Sequence, residues 1–133
     1  MRRLGLGLLV AAALAGCGSD EATQAGGPTG QLASVVVTVD GDGAKGAEPP
    51  RTLKLECAKP TDSDACGAVA GISAADLQPN DDGMACTQQY GGPEEATIKG
   101  TIRGDKVDAT FSRTDGCEIA RWDRVQELLH HVQ

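Results

Sequence analysis

Apolar and polar residues alternate with a period of two over four short stretches of this chain, and the period lengthens to that of a helix near the C-terminal end. In residues 32–39, Ala33, Val35, Val37 and Val39 fall on one side and Ser34 and Thr38 on the other, which predicts a half-buried strand. In residues 51–57, Leu53, Leu55 and Cys57 oppose Lys54 and Glu56, a second strand of the same kind. Residues 96–103 and 106–113 read as a hairpin whose two-residue turn is Gly104-Asp105. That turn pairs Ile102 with Val107, Gly100 with Ala109 and Ile98 with Phe111 on a dry face, and Thr101 with Asp108 and Lys99 with Thr110 on a wet one. In residues 118–132, Trp122, Val125, Leu129 and Val132 line one side of a helix with Leu128 beside them, and Trp122 is its core anchor. A short helix over 64–70 has Ser63 or Asp62 to cap it, and Ser73 caps one further turn over 74–77. These elements predict a small α+β domain.

The segments between them are turns and one loop. Asp40-Gly41-Asp42-Gly43 opens a long turn that ends in Pro49-Pro50; it lacks the later acidic ligands of a calcium loop. Arg103-Gly104-Asp105 spells an adhesion tripeptide, but the hairpin turn accounts for it. Residues 84–93 are polar and end in glycines, so they predict an exposed loop, and this loop carries Cys86. Bonded to Cys117 beyond the hairpin, Cys86 would hold the loop rigidly for presentation to a partner.

Composition narrows the class. The 133 residues carry 12 Lys+Arg against 19 Asp+Glu, a net charge of -7, with one Phe, one Trp and one Tyr. There is no basic patch and almost no aromatic surface, which excludes a nucleic-acid binder. A core made of Val, Ile, Leu and Ala in so small a domain gains from covalent staples.

The first 16 residues read as an export signal: Met1-Arg2-Arg3, then an apolar run too short to span a bilayer. The run ends Leu14-Ala15-Gly16-Cys17, which resembles the bacterial lipoprotein processing box and predicts lipidation of Cys17. Ordinary signal cleavage beside an incidental cysteine is the alternative. Residues 17–30 are small and polar, a flexible tether reaching about 20 Å, and residues 31–133 form the domain. The protein is thus expected to be exported and held on the outer side of the cell membrane, or secreted if not lipidated.

Setting Cys17 aside leaves Cys57, Cys66, Cys86 and Cys117 in an oxidising setting. Four cysteines allow three pairings; sequence neighbours favour Cys57–Cys66 and Cys86–Cys117, each worth roughly 2.5–4 kcal/mol by loop entropy. No CxxC pair is present and His130 and His131 sit at the tail, so no metal site is expected. Nothing points to catalysis either: Ser112 has no base near it in sequence, and no Gly-rich phosphate loop follows a strand. No enzyme and no cofactor are expected.

A set of short motifs sharpens this picture. Thr52-Leu53-Lys54-Leu55-Glu56-Cys57, Ala65-Cys66, Met84-Ala85-Cys86-Thr87-Gln88-Gln89-Tyr90, Phe111-Ser112-Arg113 and Gly116-Cys117-Glu118 together resemble the subtilisin-inhibitor-like family of exported actinobacterial proteins. The resemblance runs over residues 32–122. It implies a five-stranded antiparallel sheet with two helices and the disulfides Cys57–Cys66 and Cys86–Cys117. It also implies inhibition of an extracellular, subtilisin-like serine protease by a substrate-like loop. Carried onto this chain, the scissile bond is Gln88–Gln89. Gln88 is then P1 and Gln89 P1′; Thr87, Cys86 and Ala85 are P2, P3 and P4, and Tyr90 matches the family's tyrosine at P2′.

Departures are visible: P1 is neutral and polar, Thr87 replaces the usual proline, Ala85 is small, and Asp115 stands where the family often has Asn. The family's C-terminal strand has no counterpart in the helical pattern that ends this chain. Family members often form homodimers through the sheet, which the resemblance extends to this chain. The competing expectation is a non-inhibitory lipoprotein that uses the scaffold as a binding or structural module. An inhibitor presents residues 85–90 extended and exposed; a structural module folds or buries them.

Overall fold

A computed structural model describes residues 30–133. The expected export signal, Cys17 and the expected tether up to residue 29 lie outside the described residues. The elements follow the order β1 (Ala33–Asp40), β2 (Arg51–Cys57), α1 (Asp64–Gly71), β3 (Glu95–Ile102), β4 (Asp105–Phe111) and α2 (Gly116–His130), with 3-10 turns at Pro60–Asp62 and Ala75–Leu77. The strands form one antiparallel sheet in the order β2-β1-β3-β4. The α+β class holds, but the sheet has four strands among the described residues, not five. After β4 the chain turns at Asp115, whose carboxylate accepts from the Cys117 and Glu118 N–H groups at 2.9 Å each. That cap starts α2, and no strand follows it among the described residues.

One face of the sheet is dry. Ala33, Val35, Val37 and Val39 of β1, Leu55 and Cys57 of β2, Ala96, Ile98 and Ile102 of β3, and Val107, Ala109 and Phe111 of β4 are buried there. Both helices contribute the other half of the core, with Val69 of α1 and Trp122, Val125, Leu128 and Leu129 of α2 buried against it. Ser63 caps α1, its hydroxyl accepting from Cys66 N–H at 3.1 Å. The disulfide Cys57–Cys66 then joins the end of β2 to the first turn of that helix, with both residues buried.

The hairpin keeps its predicted faces but changes register. Ile102 lies opposite Asp105, Gly100 opposite Val107, Ile98 opposite Ala109 and Ala96 opposite Phe111. The turn is therefore Arg103-Gly104, not Gly104-Asp105. Both central residues have positive φ, 51° and 85°, as a turn matched to the twist of the strands requires. Arg103 is held there from three sides. Its N–H donates to Leu32 O at 2.7 Å, Nη1 donates to Ile72 O at 3.0 Å, and Nη2 reaches Ala70 O. The last two contacts satisfy carbonyls at the end of α1. A shift of two residues leaves every side chain on its side, so the apolar pattern alone is blind to it.

The acidic turn after β1 is closed by one carboxylate oxygen of Asp42. The Asp42 carboxylate accepts from Ala47 N–H at 2.7 Å and Glu48 N–H at 3.0 Å. Those donors, that of Glu48 foremost, hold its pKa below the ordinary value.

Candidate functional site

Residues 84–92 form neither helix nor strand, and all of 84–90 except half-buried Cys86 are exposed, Tyr90 at 66%. The loop is tied at three points. Cys86–Cys117 joins it to the first turn of α2, with the Cα atoms 5.4 Å apart. Gly116 N–H donates to Thr87 O at 3.0 Å, and Gly91 N–H donates to Arg113 O at 2.7 Å. A Cβ on Gly116 would collide with Thr87 Oγ1, so glycine permits the close approach of loop and helix. Gln88, Gln89 and Tyr90 lie between the last two ties, with no backbone–backbone hydrogen bond among the described residues.

Each arm of the loop has a charged support. Upstream, Arg121 is only 5% exposed. Its Nε donates to Gln78 O at 2.8 Å and its Nη1 to Glu118 Oε2 at 2.8 Å. Glu118 Oε1 accepts from Asn80 Nδ2 at 2.7 Å, and the Arg121 guanidinium lies 4.8 Å from the Phe111 ring centre. The residues leading into the loop are thus fastened to α2. Downstream, Arg113 Nη1 meets Glu94 Oε1 at 3.1 Å, and its guanidinium lies 6.0 Å from the centre of the Trp122 ring. A shallow cleft of about 530 Å³ opens beside the upstream arm, edged by Pro79, Met84, Ala85, Ala120 and Arg124.

The predicted positions Ala85, Cys86, Thr87, Gln88, Gln89 and Tyr90 all belong to this one loop, and Cys86 and Cys117 are bonded to each other. The cluster of Cys86, Asp115 and Cys117 brings three potential metal ligands together. Both sulfurs are in the disulfide, however, and the carboxylate caps α2, so the set fits no ion. Asp115 at this position serves the helix, where a negative charge at the N-terminus is favourable. Trp122 is buried and His130 and His131 are exposed.

Sequence patterns missed Arg113, Arg121, Glu94, Glu118 and Asn80. A usable signal was Glu118 three residues before Arg121, beside the apolar stripe of α2. Nothing in the sequence marks the pairing of Arg113 with Glu94 across 19 residues. A comparison with protein-family models, curated proteins and solved structures finds no match to this chain.

Proposed function

We propose that this protein is a substrate-like inhibitor of an extracellular, subtilisin-like serine protease, with Gln88–Gln89 as the bond it offers and a lipid on Cys17 as its membrane anchor. The observation that carries this is the run Gln88-Gln89-Tyr90, exposed and free of backbone pairing between two backbone ties and a disulfide. An extended substrate pairs its own N–H and C=O groups with the edge of a protease cleft, so a loop with those groups unused is ready to do the same. Order present before binding lowers the entropy lost on binding. If the bond is cut, the new carboxyl end stays one residue from the Thr87 tie and two from Cys86. The new amine stays two residues from the Gly91 tie. Both ends remain facing each other, and religation competes with release.

The two disulfides suit an exported, oxidising setting, and no described helix is long and apolar enough to cross a membrane. Inhibition is tested by titrating subtilisin with the purified protein while following residual activity and sequencing any cut. Tight inhibition with slow cleavage confined to Gln88–Gln89 is expected. Rapid general digestion, or no effect at micromolar protein, removes subtilisin as the target. If Gln88→Met also fails, the scaffold is a binding module.

A further inference from the structure

We infer that the Arg113–Glu94 pair is a positioning clamp that keeps the downstream half of the loop in place, so that a bond cut at Gln88–Gln89 is resealed rather than opened; the resealing half of this rests on the inhibitor reading above. Arg113 holds the segment after the loop in two ways. Its main-chain carbonyl takes the Gly91 N–H at 2.7 Å. Its guanidinium Nη1 donates to Glu94 Oε1 at 3.1 Å, three residues further along. Between these points the chain wraps closely around the clamp. A Cβ on Gly91 would lie 3.2 Å from Arg113 Cβ and 3.0 Å from the Ile119 side chain, and one on Gly92 would run into the Glu94 carboxylate.

The pair is half-buried, with side-chain exposures of 31% and 30%, and Arg113 also packs over the Trp122 ring. Arg113 Nε and Glu94 Oε2 are shielded from solvent with no partner. Each charge therefore relies on the other, and removing one leaves the second poorly solvated. The upstream half of a cut loop has a covalent tie in Cys86–Cys117. The downstream half has no disulfide among the described residues, and the Gly91 hydrogen bond and this clamp are its polar ties to the end of β4. Loss of the clamp frees the amine of Gln89 to leave, which would turn an inhibitor into a substrate.

Two readouts on the purified Arg113→Met protein test this. The variant keeps the main-chain carbonyl and an apolar contact with Trp122. The first readout is hydrogen exchange of the Gly91 amide, which needs no protease. About tenfold faster exchange is expected, as a half-buried charge pair with a cation–π contact implies. The second is the proportion of cut to intact Gln88–Gln89 bond at equilibrium with subtilisin, which should shift at least several-fold toward the cut form. Arg113→Lys, which keeps the charge, should recover much of both, and Glu94→Gln should act as Arg113→Met does.

Lys99→Met removes an exposed ion pair to Asp108 on the sheet and should change neither. Gly91 exchange equal to wild type in both Arg113→Met and Glu94→Gln overturns the clamp. If the wild type neither inhibits subtilisin nor is cut at Gln88–Gln89, the inhibitor assignment fails there, and Gly91 exchange still decides the clamp.

Discussion

Arg121 is the one charged residue among those described that is almost fully covered, and it works as a brace rather than as a surface charge. Its guanidinium joins Gln78 O, Glu118 and the Phe111 face, so Arg121→Met strands a carboxylate and a carbonyl together. We expect a loss of about 3 kcal/mol, read as a lower urea midpoint with an unchanged slope. Gly100 is a second such point. It sits within β3 at φ 140°, and an added Cβ would run into Ser34 O and Val35 Cα of β1. Gly100→Ala should cost about 2 kcal/mol or more and separate β1 from β3 locally.

Carboxylates supply the pH dependence. Asp76 is held below the ordinary value of 3.8, first by the Ser73 hydroxyl and then by the Ser73 N–H; Asp62 is lowered mainly by the Lys59 N–H. A group lowered on folding contributes stability that is complete above its unfolded pKa and is lost as pH falls through its folded value. The urea midpoint should therefore fall as the pH drops through and below the ordinary carboxylate value of 3.8, and Asp76→Asn should make that fall smaller.

At the scale of elements, strands and helices were largely legible, because each buries one face and so writes a period into the sequence. β2 was placed without error at residues 51–57, and the stripe of Trp122, Val125, Leu128 and Leu129 is the buried side of α2. The hairpin register was not legible, since the two candidate turns put the same side chains in the core. The choice fell to Arg103, whose contacts with the carbonyls of Ala70 and Ile72 exist only after α1 has docked. The brace Arg113 was hidden for a similar reason, its partner Glu94 lying 19 residues away, whereas Arg121 has one local partner in Glu118 and a distant one in Gln78.

The loop itself was legible as exposed and glycine-bounded. Its disulfide closes a sequence separation of 31 residues against 9 for Cys57–Cys66, and it alone of the two is partly exposed. Replacing both Cys86 and Cys117 by Ser should remove at most about 3.7 kcal/mol by loop entropy. The sheet should survive, with unchanged far-UV circular dichroism, while limited proteolysis should now cut within residues 84–92. Cutting in β3 or β4 instead would show that this disulfide holds the domain and not the loop.

At the scale of the whole molecule, a single sheet with both helices on one face leaves loops at its ends to carry function, and one of them is fixed at both arms. The family resemblance anticipated five strands. The Asp115 cap and the apolar stripe that follows it direct the chain into α2, and the sheet has four strands among the described residues. Its tail is a helix packed against the core, so the loop is supported by α2 on one side and the hairpin end on the other. That arrangement makes loop chemistry separable from fold stability: substitutions at Gln88 and Gln89 should leave the melting temperature unchanged.

The most direct measurement is the titration of subtilisin with this protein, with identification of any bond that is cut. A linear loss of activity to a sharp equivalence point, with the chain intact or cut only at Gln88–Gln89, is the predicted result. Full residual activity with both wild type and Gln88→Met, or early cleavage at many sites, would contradict it.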